Sequence, residues 1–117
     1  MRDPVLDGAF DAIVTMNPDG AVVDMNAAAE RMFEISREQA IGRELATLIV
    51  PEEYRDEHRR ALARYRAGGA SRIIGHRLEL YGLRAGAQRF PVELSVSRIE
   101  TPKGPLFTAW ILSLIHI

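Results

Sequence analysis

The chain has 117 residues, of which 47% are hydrophobic and 26% charged, as is typical of one soluble globular domain. Its formal net charge is −1, so no overall field favours nucleic acid or an acidic membrane surface. It contains no cysteine, which excludes disulfides, thiolate metal sites and cysteine nucleophiles. We see neither a leader pattern nor an apolar run of the roughly 18 residues that cross a bilayer. We therefore expect a cytoplasmic domain with no membrane or nucleic-acid partner.

The first half of the chain predicts a β-hairpin followed by short helices. Residues 12–17 and 21–25 are two β-rich runs, and Asn17-Pro18-Asp19-Gly20 between them has the composition of a turn. Asn26 can cap a helix that continues to residue 33, and Ser36 with Gln39 fits a capping box. A helical turn is predicted over residues 45–49, and a short helix over residues 3–8.

Residues 51–69 predict one longer helix that begins at Pro51 and ends at Gly68-Gly69. One face of it carries Tyr54, His58, Ala61, Leu62 and Tyr65, which recur at helical spacing. His58 therefore points inward, towards either a core or a ligand. The arginines lie mostly on the other face, where acidic residues at i+3 and i+4 spacing favour a solvated surface over a nucleic-acid stripe.

The last third alternates with period two, which predicts strands. In one strand, one face carries Ile74, His76, Leu78 and Leu80. In the next strand, one face carries Phe90, Val92, Leu94 and Val96. The final run is apolar on both faces, as expected of a central strand. The order of elements predicts an α+β fold with one antiparallel sheet and helices packed over its inner face. Glu79 and Glu93 point outward without a nucleophile or metal cluster, so nothing predicts an enzyme.

Three stretches resemble a PAS domain, the sensory module of many bacterial signalling proteins. DAIVTMNPDGAVVDMNAAAERMF (residues 11–33) resembles the opening hairpin and first helix, IGREL (residues 41–45) the next helical step, and RFPVELSVS (residues 89–97) the fourth strand. The resemblance covers about residues 11–111 and implies a single domain over residues 1–117 with strand order 2-1-5-4-3. Residues 112–117 differ from the usual exit of the family. It also implies a pocket between the helices and the sheet for a small molecule or cofactor.

The identity of that cofactor stays open. In haem-binding, oxygen-sensing PAS domains the axial histidine lies in a stretch that resembles residues 57–75, and His58 takes that place. Ile73, Leu94 and Val96 stand where that branch has aliphatic distal residues, but Leu78 stands where it has a distal arginine. His76 is placed either as a second ligand or at the pocket rim. A structural reading of His58, hydrogen-bonded within the core, is the alternative.

GHRLEL (residues 75–80) resembles instead the Gly-Arg-Arg-x-Glu-Leu pattern of PAS domains that usually have no assigned haem and stand beside kinase, cyclase or phosphatase outputs. Flavin bonded to a cysteine is excluded, since the chain has none. We therefore predict a sensor that binds a small molecule and signals, as a homodimer, to an effector such as a histidine kinase, cyclase or phosphatase. The alternatives are a haem-based gas or redox sensor and a ligand-free dimerisation module.

Two sets of site residues follow from these patterns. The last strand has two apolar faces, of which one must meet the core and the other leaves an exposed patch. PAS domains often dimerise through this sheet, and we assign Phe107, Ala109 and Ile111 to the dimer interface. The predicted pocket residues are Met32, Tyr54, His58, Leu62, Ile73, Ile74, His76, Leu78, Leu94 and Val96.

Overall fold

A computed structural model describes residues 11–66, 75, 77–84 and 88–114 of the chain. These residues form one antiparallel five-stranded sheet in the order β2-β1-β5-β4-β3. This confirms the predicted α+β fold and the strand order that the resemblance implies. The strands are β1 (Ala12–Met16), β2 (Val22–Met25), β3 (Arg77–Arg84), β4 (Gln88–Thr101) and β5 (Gly104–Ser113).

The hairpin of β1 and β2 forms where the sequence predicts it. The side-chain oxygen of Asn17 accepts hydrogen bonds from the backbone N–H groups of Asp19 and Ala21, each at 3.0 Å, and so shapes the turn. Gly20 follows with φ 89°, a left-handed conformation that glycine adopts without steric cost.

Four helices lie in the described part of the chain, between β2 and β3. The predicted caps are confirmed: the Asn26 side chain accepts from Ala29 N–H, and Ser36 with Gln39 forms a capping box. The helices are α1 (Ala27–Phe33), α2 (Arg37–Ala40), α3 (Leu45–Ile49) and α4 (Glu52–Arg66). The predicted helix over residues 3–8 and the predicted stop at Gly68-Gly69 lie outside the described residues.

The core lies between the sheet and helices α1 to α3. Phe33 of α1 and Phe90 of β4 meet there with 5.7 Å between ring centroids. Gly82 of β3 gives these rings room, since a Cβ at this position would stand 3.2 Å from Phe33 and 3.3 Å from Phe90. Helix α4, in contrast, has no buried residue, although one of its faces is apolar. It therefore spans space that the core does not fill.

The two faces of β5 are the reverse of the predicted assignment. Phe107 and Ile111 are only 3% and 2% exposed, whereas Trp110 and Leu112 are 42% and 46% exposed. The prediction that Phe107, Ala109 and Ile111 form a dimer interface is therefore wrong. The register pairs Ala109 with Val14 of β1 and Ile111 with Leu94 of β4, both on the inner face of the sheet. Alternation alone separates the two faces, but it does not say which one turns inward.

The sheet also extends beyond the predicted core boundary at residue 111. Leu112 pairs with Glu93 and Ser113 pairs with Val92, so β5 takes in the first two residues of the segment that differs from the usual family exit. Residues 115–117 lie outside the described residues. No helix in the described ranges is long and apolar enough to cross a membrane.

Candidate functional site

A cavity of about 370 Å³ lies between helix α4 and the inner face of the sheet. Its walls come from one face of α4, from α3, and from inner-face positions of β1, β3, β4 and β5. The volume falls in the lower part of the range of about 300–1,000 Å³ that is usual for small-molecule pockets. The cavity exists because α4 stands over the sheet without inserting a buried side chain.

Helix α4 lines the cavity with the face that its sequence predicts. Tyr54, His58, Ala61, Leu62 and Tyr65 all stand on the wall, as their helical spacing requires. Glu57 also reaches the wall although it is exposed. Tyr54 is 44% exposed, which puts it beside the opening rather than in the depth of the cavity.

The sheet supplies most of the remaining wall. Leu78, Leu94 and Val96 line the cavity, as the alternation of β3 and β4 predicts. Leu80 continues the same face of β3 and is 47% exposed, so this edge of the cavity is open to water. That any of these side chains binds a ligand stays a prediction.

One predicted pocket residue is misplaced, and three others lie outside the described residues. Met32 packs against the core cluster and does not line the cavity, while its neighbour Phe33 does. The prediction for Met32 is therefore wrong, because its place on α1 directs it to the core. Ile73, Ile74 and His76 lie outside the described residues.

Sequence reasoning also missed part of the wall. The inner face of β5 contributes Phe107, Ala109 and Ile111, which the sequence predicts at the dimer interface instead. Val92 shares the face of Leu94, so the alternation of β4 contained the signal for it. The contributions of α3 and β1, among them Leu45, Ile49, Val50, Val14 and Met16, follow only from the way the chain folds back.

His58 is half-buried on the cavity wall. Burial lowers the pKa of its imidazole below the usual 6.5, the Glu44 carboxylate opposes this change, and the Arg59 guanidinium adds to it. The lowered pKa favours the neutral imidazole at pH 7. No hydrogen bond joins it to another of the described residues. The structural and the ligand-binding readings of His58 both stay predictions.

Polar contacts hold α4 in place above the cavity. Arg59 donates two hydrogen bonds of 2.8 Å to the carboxylate of Glu44, which precedes α3. This pairing lowers the pKa of Glu44 and raises that of Arg59. Arg55 donates through its Nε to the backbone carbonyls of Ala46 and Val50, at 3.0 and 2.9 Å. These contacts join α4 to α3.

Two further contacts tie the ends of α4 to strand β4. Near the first turn, the Glu53 carboxylate accepts two hydrogen bonds from Arg89. Near the last turn, Arg98 donates to the Tyr65 hydroxyl and also pairs with Glu100. The helix is therefore attached at both ends to one strand, and the cavity lies beneath its middle.

Outside the cavity, the acidic residues behave as structural surface groups. Arg77 and Glu93 form an ion pair of 3.0 Å across β3 and β4, as predicted for outward-facing carboxylates. In the described part of the chain, no cluster of three or more His, Asp or Glu side chains is arranged to hold a metal ion.

The sheet order, the helices over its inner face and the cavity beneath α4 agree with one family. The sequence model of the PAS fold matches residues 1–112. The chain belongs to the PAS family.

An uncharacterized protein of Azorhizobium caulinodans is 36% identical over 110 residues, which cover 94% of this chain and 15% of that protein. The sensor protein FixL of Bradyrhizobium diazoefficiens is 31% identical over 104 residues, which cover 89% of this chain and 20% of FixL. The chain thus spans a fifth or less of the length of these relatives.

Solved PAS domains share the fold at low sequence identity. The PAS domain of a Desulfitobacterium hafniense protein superposes with a TM-score of 0.77 at 19% identity, covering 96% of this chain and all of that one. The PAS domain of the quorum-sensing receptor RpfR from Cronobacter turicensis, solved in complex with BDSF, gives a TM-score of 0.72 at 15% identity. It covers 92% of this chain and 96% of that domain.

Proposed function

We propose that this PAS domain is a sensory module that binds a small organic molecule beneath α4 and transmits its binding state to an attached effector. The observation that supports the proposal is the cavity of about 370 Å³, whose wall is mostly apolar and includes a half-buried histidine. FixL is a sensor protein by name, and the PAS domain of the quorum-sensing receptor RpfR forms a complex with BDSF.

The cavity argues against a module that serves only for dimerisation. Such a module would fill its interior with its own side chains, because empty space loses dispersion contacts and destabilises a core. Here the apolar faces of α4 and of the sheet meet at Tyr65 and Phe107 but leave a cavity of about 370 Å³ between them. A ligand would supply the contacts that the protein leaves unmade.

Strand β5 offers a route from the cavity to the outer surface. Phe107, Ala109 and Ile111 line the cavity, and the alternate residues Trp110 and Leu112 are exposed on the other face of the same strand. A ligand that favours one arrangement of β5 would therefore change the surface on which a second subunit or an effector docks. We propose the outer face, which bears Trp110 and Leu112, as the dimer surface. It replaces the predicted interface of Phe107, Ala109 and Ile111, which lie on the inner face.

A pair of alanines on α4 provides the test of ligand binding. Ala61 lines the cavity and Ala63 is exposed on the same helix. We expect small apolar compounds to raise the melting temperature of the unmodified protein and of the Ala63→Phe variant. The Ala61→Phe variant, whose ring occupies the cavity, should lose this response. If no compound raises the melting temperature of Ala63→Phe more than that of Ala61→Phe, the proposal is contradicted.

Haem is a second candidate ligand, because the neutral imidazole of His58 faces the cavity without a hydrogen bond to another described residue. Only part of the wall fits haem. The described lining residues include no lysine or arginine to pair with the two propionates. Leu78 stands where a distal donor would be needed, and it cannot donate a hydrogen bond. We therefore rank haem below an organic ligand.

Absorption spectroscopy separates the two candidates. If haem binds through His58, titration with haemin gives a sharp Soret band that saturates at one haem per chain and is lost in His58→Ala. If the site takes an organic ligand, the spectrum of free haemin is expected for both proteins. A sharp band that survives in His58→Ala would exclude this residue as the ligand to iron.

A further inference from the structure

The cavity wall presents few groups that can form hydrogen bonds. Most of its described residues are aliphatic or phenylalanine, and the polar ones are Tyr54, Glu57, His58, Tyr65 and Tyr81. Tyr54, Tyr81 and Glu57 are exposed and remain hydrated at the opening. The Tyr65 hydroxyl accepts a hydrogen bond from Arg98 and keeps its O–H as a donor. His58 is the half-buried group of the wall whose donor and acceptor nitrogens are both unpaired among the described residues.

The same wall offers no positive charge in its described part. Among the described lining residues there is no lysine or arginine, and Glu57 is the one carboxylate. Three arginines on or beside α4 are paired with carboxylates: Arg59 with Glu44, Arg89 with Glu53, and Arg98 with Glu100. An anionic ligand would have to leave water for an apolar wall whose described residues place no cation beside it, which is strongly unfavourable.

A cationic ligand is disfavoured for a related reason. Glu57 is exposed, so its charge is screened by water at the opening and does not compensate an ammonium group placed deeper in the cavity. The neutral imidazole of His58 gives such a group no ionic partner. Burying a charge of either sign in the cavity would therefore cost more free energy than its contacts with the described wall would provide.

We propose that the ligand of this cavity is an uncharged, mainly apolar molecule with one hydroxyl-type group that hydrogen-bonds to His58. This inference rests on the proposed function, since it names the chemical class of the molecule bound beneath α4. A neutral imidazole has one donor nitrogen and one acceptor nitrogen, so it can pair with a hydroxyl in either direction. The leucine, valine and phenylalanine side chains around it would hold the apolar part.

Three probes with one alkyl chain test this ligand class: 1-octanol, octanoate and octylammonium. Binding would be followed at pH 7.5 by amide NMR shifts of the 117-residue chain, with changes expected at α4 and β5. We expect 1-octanol to bind at least about tenfold more tightly than either charged probe, because only the charged groups lose hydration without a partner.

Variants at two positions of α4 locate the polar contact. His58→Leu should weaken 1-octanol about fivefold, whereas His58→Gln, which keeps a hydrogen-bonding group, should bind within about twofold of the original protein. Arg60→Gln is the matched control, because Arg60 is exposed on the same helix and is not among the described lining residues, and it should leave the affinity for 1-octanol within about twofold. Unchanged binding by His58→Leu would overturn the role of His58.

The outcome also separates this proposal from the function on which it rests. Tighter binding of octanoate or octylammonium would overturn the uncharged ligand class and leave ligand binding in the cavity intact. Saturable shifts with none of the three probes would contradict both the ligand class and the proposed function.

Discussion

Tyr65 at the end of α4 packs edge-on against Phe107 of β5, with 5.2 Å between ring centroids and 83° between ring planes. Its hydroxyl accepts a hydrogen bond from Arg98 of β4, whose guanidinium carbon lies 5.6 Å from the ring centre. One side chain thus joins the helix above the cavity to two strands of its floor. Because Tyr65 and Phe107 both line the cavity, a ligand touches this junction directly.

Substitutions of Tyr65 should separate the two contacts. Tyr65→Phe keeps the ring pair and removes an exposed hydrogen bond, so we expect a change of less than about 1 kcal/mol in the free energy of unfolding. Tyr65→Ala also removes the ring pair, and should cost about 1 kcal/mol more. Urea denaturation measures both values. Faster amide hydrogen exchange in α4 of Tyr65→Ala alone would show that the ring holds the helix.

Gly82→Ala should destabilise the domain by about 1–3 kcal/mol through overpacking, because the new methyl group would press against two aromatic rings. The nearest atoms belong to Phe33, at 3.2 Å, and Phe90, at 3.3 Å. In the double variant Gly82→Ala/Phe33→Leu, the leucine is smaller than phenylalanine and leaves room for the new methyl group. The losses of stability caused by the two substitutions should therefore be less than additive. Full additivity in denaturation experiments would mean that the contact with Phe33 is not the cause.

Asn26→Ala should destabilise the domain by about 1–3 kcal/mol, since Asn26 is buried and serves two elements. Its Oδ1 accepts from the N–H groups of Ile13 in β1 and Ala29 in α1, each at 2.9 Å. Asn26→Asp keeps this acceptor but loses the amide donor to the Asp11 carbonyl and buries a charge, so it should not restore the stability. Ser36→Ala, which removes a more exposed cap, provides the comparison in thermal unfolding. Equal losses for Asn26→Ala and Ser36→Ala would contradict the bridging role of Asn26.

His58 should make the stability depend on pH in a predictable direction. Burial lowers the pKa of His58 in the folded state below its usual 6.5, with Glu44 opposing and Arg59 adding to the effect. Between the two values the unfolded chain binds more protons, so the free energy of unfolding rises with pH and falls on acidification through 6.5. Glu44 stays ionised in this window because its own pKa is lowered.

The comparison that isolates this effect is His58→Gln, which cannot titrate. Chemical denaturation at pH 5 and pH 7.5 should show a larger loss of stability on acidification for the original protein than for the variant. Equal pH dependence of the two proteins would mean that His58 titrates alike in the folded and unfolded chains.

Trp110→Glu should abolish a dimer formed through the outer face of the sheet. Trp110 and Leu112 are 42% and 46% exposed there, and a buried charge in such an interface would be strongly unfavourable. Ile41→Glu is the control, because Ile41 is also an exposed apolar residue but lies in the turn after α2. Light scattering at several concentrations gives the mass. A monomeric original protein, or a dimer that survives Trp110→Glu, would contradict this arrangement.

Local features of this protein could be predicted because their causes are local. Asn26 and Ser36 cap helices through hydrogen bonds that reach three residues along the chain, and the turn before Gly20 depends on Asn17 beside it. The apolar face of α4 follows in the same way from helical spacing. For this reason the sequence alone places His58 on the inward face of its helix.

Only the tertiary structure decided which elements those faces meet. Phe107 and Trp110 are both apolar, and the register of β5 between β1 and β4 turns the first to the cavity and the second to the surface. Met32 faces the core because of the position of α1 over the sheet, which no spacing within the helix determines. The cavity itself exists because α4 is attached to β4 at its ends and leaves the space beneath its middle unfilled. Such distances between elements depend on contacts far apart in sequence, so alternation and spacing cannot contain them.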